Sequence, residues 1–323
     1  MTEIGYALSS EEFGPRELVR NARRAEEAGF TFALISDHYH PWISRQGHSP
    51  FVWNVIGGIA EATSRLRLGT GVTCPTFRIH PAIIAQAAAT SAAMMETDEG
   101  EGRFFLGIGS GEALNEHILG DQWPPAEVRL EMLREAVEII RLLWGGEEES
   151  FWGDYYTVEN AQIFTRPSSP PPVYMAAVGP MAIELAGEIA DGLISTAPQG
   201  DIVSQYRQSG GRGKPCYGQI KVCWARDEAQ ARKTVYEIWP NGAVPGSLHA
   251  DLPTPDHFEA AVKLVREEDA VKDTVLGPDK RKHLEGIQKM IDAGYDHVYV
   301  HQIGPDQEGF FDFYEREILP EFL

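Results

Sequence analysis

The chain has 323 residues, with 28 Lys and Arg against 48 Asp and Glu, a formal charge of −20. Apolar residues at 43 % and aromatics at 10 % can offset the entropy of ordering, which excludes a mainly disordered chain. The acidic balance excludes a nucleic-acid partner, whose phosphates need basic patches, and no apolar run reaches the roughly 18 residues of a membrane span.

Short β-branched runs alternate with amphipathic stretches along the chain. A strand over 3–8 precedes a helix over 16–28, whose Leu18, Val19, Ala22 and Ala25 fall at helical spacing. Pro15 suits the first turn of that helix and Gly29 its C-terminal stop. Strand 32–36, helix 51–63, strand 66–72, helix 81–95, strand 104–108 and helix 126–144 follow. The acidic TDEGEG segment at 97–102 reads as a surface loop at the far end of the fold. Residues 150–172 read as an inserted hairpin turning at Gly153-Asp154. Strand 173–177, helix 181–189, strand 192–196, a short helix over 202–208, strand 217–225 and helix 228–239 come next. Residues 241–278, rich in Pro and Gly, read as an irregular insertion with a helix near 257–267. Helix 280–293, strand 297–302 and helix 309–322 complete the chain.

Eight strand–helix units without a second compositional domain predict an α/β fold, one (β/α)8 TIM barrel over 1–323 with insertions at about 150–172 and 241–278. The opening MTEIGYALSSEEFGP has neither the basic stretch nor the apolar segment of a signal peptide. Cys74, Cys216 and Cys223 form no CxxC pair. A cytoplasmic protein without disulfides or zinc is expected.

In a TIM barrel the site lies where strands end and loops begin. There the chain places Ser9-Ser10-Glu11-Glu12, Asp37-His38-Tyr39-His40-Pro41-Trp42, Gly71-Val72-Thr73-Cys74, Gly109-Ser110-Gly111-Glu112, Val178-Gly179-Pro180, Ser195-Thr196 and His301-Gln302. Gly107, Gly109 and Gly111 give GxGxG, which departs from the dinucleotide fingerprint but suits close approach of backbone to a ligand. His38 and His40 would share a face on an extended strand, which opens a metal-dependent hydrolase as an alternative. That reading needs further ligands from later strands, where His301 is the one evident histidine. His38 with Glu11, Glu112 or Asp37 nearby and Trp42 as an aromatic wall forms an acid–base constellation. No nucleophile elbow or P-loop is present in the sequence.

Three segments in order, SDHYHPW (36–42), LGTGVTCPTFR (68–78) and LGIGSGEALNE (106–116), resemble the luciferase-like oxidoreductases. Within them the resemblance is to the coenzyme F420-dependent glucose-6-phosphate and secondary-alcohol dehydrogenases. It extends through GDYYTV (153–158), PVYMAAVGP (172–180) and ADG (190–192) over essentially the whole chain. The resemblance implies a barrel that binds F420, with FMN as the alternative, usually as a homodimer. It assigns His38 as the base that takes the hydroxyl proton while hydride moves to C5 of the deazaflavin. Glu11 assists His38, Trp42 stabilises the reacting centre, and Glu112 protonates the reduced ring. Gly71-Val72 matches a non-proline cis peptide behind the ring. Asp37, Cys74, Ser110, Gly111 and Asn115 line the cofactor side, and Val178, Gly179, Met181 and Ala182 open a helix suited to its phosphate.

Thr196 and Gln199 fall at substrate positions. The sugar-phosphate enzymes carry a lysine where this chain has Gln199, and no clear counterpart of their later arginine appears around Lys272-Asp273. Lys263, Arg266 and Lys272 are the candidate replacements. Without paired cations a phosphate loses its strong contacts, so a neutral alcohol or unphosphorylated sugar is expected. The same cofactor working as a reductase, or FMN with oxygen in a monooxygenase, are the alternatives within this fold.

Overall fold

Strand β1 (Glu3–Leu8) sits between β2 (Phe32–Ile35) and the last strand of the chain, and every pairing around it is parallel. Strands β3 (Arg67–Thr70) and β4 (Phe104–Ile108) continue the sheet, and a separate antiparallel hairpin, β5 (Glu149–Trp152) and β6 (Thr157–Ala161), interrupts the sequence. Strands β7 (Val173–Ala176), β8 (Gly192–Ser195) and β9 (Cys216–Cys223) follow, then the short β10 (Thr274–Leu276) and β11 (His297–Gln302). Pairing runs β1-β2-β3-β4-β7-β8-β9-β11 and returns to β1, an eight-stranded closed parallel barrel. The computed structural model describes residues 2–196 and 198–322.

Alternation along the strands divides the core. Val298 and Val300 of β11 face the helices, whereas Tyr299 faces the barrel axis with Ala7, Phe32, Leu34, Phe105, Tyr174, Ile194 and Tyr217. Tyr217 meets Phe32, Phe105 and Tyr174 at ring-centroid distances of 5.1, 5.5 and 5.0 Å. Gly69 makes room for this plug: a Cβ there would lie 1.9 Å from the Phe105 ring. At the N-terminal end Glu3 is clasped by His297 and Arg67. The His297 bond, together with the Arg67 charge, holds its carboxyl down at about 2 despite burial. The plug closes that end, so the other end is where a ligand can enter.

The predicted strands are present, with ends differing by one or two residues. Segment 97–102 lies between helix Pro81–Met94 and β4, at the end remote from the loops that follow the strands. The insertion after β9 is more ordered than its composition suggests. It holds short helices Gly246–Asp251, Pro255–Val262 and Glu267–Val271, and then β10. Strand β10 pairs Thr274 with Lys221 and extends the sheet along the outer half of β9, beyond the reach of β8.

Candidate active site

The C-terminal ends of β1, β2, β9 and β11 surround a cavity of about 300 Å³, with Ala7, Leu34 and Tyr299 among its apolar lining. His38, just past β2, is 9 % exposed and lines it. Its Nδ1 lies 3.3 Å from the carbonyl of His40. A carbonyl only accepts, so this contact is made by an N–H at Nδ1, and Nε2 is the ring nitrogen on the other side. Two carboxylates face that nitrogen, Glu11 Oε1 at 3.4 Å and Glu112 Oε1 at 3.3 Å. Both carboxylates accept, so they favour a proton on Nε2.

Each carboxylate is itself held. Glu11 accepts from Ser36 Oγ at 2.6 Å and Ser9 Oγ at 3.1 Å. Glu112 accepts from Asn115 Nδ2 at 2.9 Å, and Asn115 Oδ1 in turn accepts from the backbone N–H groups of Tyr39 and His40. Asn115 therefore ties the loop after β2 to the loop after β4. Trp42 packs its ring 4.9 Å from His38, at 66°, and is backed by His249 and Phe258. Its loop is fixed by the buried Gln46, which accepts from the Trp42 N–H and donates to Asn241 Oδ1.

Behind His38 lies a buried charge network. Asp37 accepts from Thr73 Oγ1 at 2.7 Å and from the Arg78 guanidinium at 2.8 Å. Glu116 accepts from the Arg78 backbone N–H at 3.0 Å. Burial pushes the Glu116 carboxyl up to about 7, against the pull of Arg78. The Gly71–Val72 peptide is cis, and Gly71 lines the cavity. Gly111, in the left-handed region at φ 72°, packs where a Cβ would meet Cys74 Sγ at 2.6 Å.

Residues 1–297 match the family described as luciferase-like monooxygenase. The chain belongs to that family. It is 36 % identical over 335 residues to an F420-dependent glucose-6-phosphate dehydrogenase of Intrasporangium calvum, covering 99 % of this chain and 98 % of that one. A protein of the same description from Nakamurella multipartita is 37 % identical over 98 % of this chain and 95 % of its own. Among solved structures, an F420-dependent secondary alcohol dehydrogenase in complex with an F420–acetone adduct matches at a TM-score of 0.90. That match has 27 % identity over 98 % of each chain.

The luciferase-like barrel brings His38, Glu11, Glu112 and Trp42 together as the sequence suggested. It turns others inward to the protein. The side chains of Asp37, Cys74 and Asn115 are buried on protein partners, Thr73 and Arg78, Thr76, and Glu112 respectively. His40 bonds the carbonyl of Leu114 through Nδ1 at 2.8 Å, away from His38. Among the described residues no three His, Cys, Asp or Glu side chains stand together to hold a metal, so the His38/His40 pair does not build the hydrolase site.

Thr196 lines the cavity, but Gln199 does not. It lines a second cavity of about 440 Å³ that shares Thr196, Gln219 and Lys221 with the first. Lys272, Lys289 and Asp273 also line this second space. Of the candidate cations, Lys272 is therefore placed at it, while exposed Arg266 is spent on Glu268 and Asp269. Sequence reasoning missed Lys221, which lies on β9 at the alternate position from Tyr217 and Gln219. Burial pushes its ammonium down, while the charge of Asp273 pulls it up. The inward period-two pattern Tyr217, Gln219, Lys221 was the available signal.

Proposed function

We propose that the protein is an F420-dependent oxidoreductase acting on a CH–OH group, with His38 removing the hydroxyl proton as hydride leaves the carbon. The observation that carries this reading is His38 on the cavity wall with its Nε2 between two held carboxylates. Its relatives named for F420-dependent dehydrogenation support the cofactor assignment.

The residues present fit such a cofactor. Helix Pro180–Ile189 begins at Gly179, which offers no capping side chain, and the Met181 and Ala182 N–H groups have no partner among the described residues. A Cβ at Gly179 would meet nothing within 4 Å, so the approach to this helix start is open at Gly179. Val178 and Met181 beside them leave apolar side chains half exposed. Uncapped donors at a helix start suit a phosphate, and the flanking apolar groups suit a covering ligand. When bound, F420 supplies a two-electron hydride acceptor. His38 takes the alcohol proton at Nε2, Glu11 and Glu112 stabilise the resulting charge, and Trp42 walls the reacting carbon. Glu112 Oε1, 3.3 Å from Nε2, then takes that proton from His38 and holds it for the reduced ring.

A homodimer belongs to the same reading, as the resemblance to the family implies. Equilibrium titration against F420 and FMN tests the cofactor assignment. Saturable binding of F420 with much weaker binding of FMN is expected; the reverse order would replace this reading with the flavin-dependent branch of the family.

A further inference from the structure

Two consecutive glutamates follow β1 and part to opposite sides. Glu11 faces His38 beyond β2, and Glu12 faces His301 at the end of β11, on the other flank of β1. The Glu12 Oε1 to His301 Nε2 distance is 3.0 Å, and both side chains are 4 % exposed. Glu12 Oε2 accepts from the Gly304 N–H at 2.9 Å, which fixes the carboxylate from its other side. His301 lines the same cavity as His38, with its ring 4.5 Å from Trp239 at 80°. A carboxylate only accepts, so Nε2 of His301 carries the proton and Nδ1 is left as an acceptor. That nitrogen has no partner among the described residues.

An acceptor held in one tautomer by a dedicated carboxylate, on the wall of the cavity, is placed to receive a hydrogen bond from whatever occupies it. Nothing in the proposed chemistry at His38 uses it. We propose that the Glu12–His301 pair is a specificity element: His301 Nδ1 accepts a hydrogen bond from a second hydroxyl of the substrate while His38 acts on the first. The substrate class is therefore a diol or polyol rather than a simple secondary alcohol, and Glu12 is a positioning residue acting through His301. The inference rests on the proposed alcohol oxidation for its reaction but not for its binding site. Lys221, Gln219 and Asn241, polar and on the same lining, offer further partners to such a substrate.

The test compares butan-2-ol with butane-2,3-diol and pentane-2,4-diol, which differ in the number and spacing of hydroxyls. Wild type is expected to favour at least one diol in kcat/KM. In His301→Phe the diol-to-alcohol ratio should fall about 10- to 100-fold, the effect of one lost buried hydrogen bond, and mainly through KM. Glu12→Leu should lower the ratio likewise, whereas Glu12→Gln, whose carbonyl can still accept from Nε2, should restore most of it. A wild type that prefers butan-2-ol, or variants that lose activity equally on all three compounds, would overturn the proposal. If no alcohol reduces F420, the proposed reaction fails, and calorimetry of the diols against wild type and His301→Phe decides the binding claim alone. Diol binding that depends on His301 would sustain it, and absent or unchanged binding would overturn it.

Discussion

His38→Ala should lower turnover with F420 by at least about 10²-fold, the usual effect of losing a positioned general base. Cofactor affinity should stay close to that of the wild type. The donors proposed for F420 phosphate lie at the start of helix Pro180–Ile189, beyond β7, whereas His38 follows β2 on another part of the rim. The substitution also spares the carboxylates, since Glu11 keeps its bonds from Ser9 and Ser36 and Glu112 keeps Asn115. Steady-state turnover with an F420 fluorescence titration separates the two quantities. Turnover within a few-fold of wild type would remove His38 from the chemistry, and a parallel loss of cofactor binding would make it a structural residue.

Arg78→Met should cost about 3–5 kcal/mol of stability near pH 8, because it leaves buried carboxylates without their cation. The Arg78 side chain is 6 % exposed, and its partners Asp37 and Glu116 are 0 and 2 % exposed. The deficit should shrink toward pH 5. The Glu116 carboxyl ionises at about 7 in the fold against an ordinary 4.5, so between those values the folded state binds more protons than the unfolded one. Stability therefore falls as pH rises through that window. Below it Glu116 is neutral and needs no cation, leaving Asp37 as the ion that Arg78 serves. Urea unfolding at pH 5 and pH 8 measures both effects. Adding Glu116→Gln should remove the deepening at high pH. A deficit that is small, or equal at both values, would show that Arg78 does not neutralise this pair.

The fold was legible because burial on a barrel leaves local marks. The largely apolar run at 3–8, the stop at Gly29 and the strand at 297–302 all carry their signals within a few residues. Strand β10 was not legible: three residues, Thr274 to Leu276, are too few to show a period, and the partner of Thr274 is Lys221, far away in sequence. At the site, His38, Trp42 and the two glutamates could be named from rim position and from the resemblance together. Which way each side chain turns could not. Asp37 reads as a rim carboxylate until Arg78, in another loop, claims it, and Glu12 is indistinguishable from Glu11 until β2 and β11 settle on either side of β1. Residues whose roles depend on a partner tens of positions away leave no local pattern.

The most direct measurement is oxidation of isopropanol, glucose and glucose-6-phosphate, followed through loss of the visible absorbance of added coenzyme F420. Reduction of the cofactor by an unphosphorylated alcohol or sugar, abolished in His38→Ala, is the expected result. Glucose-6-phosphate as the sole effective donor would reassign Lys221, Lys272 and Lys289 around the second cavity to a phosphate. Tight F420 binding without reduction by any alcohol, including the diols, would contradict the assignment of this barrel as a dehydrogenase of CH–OH groups.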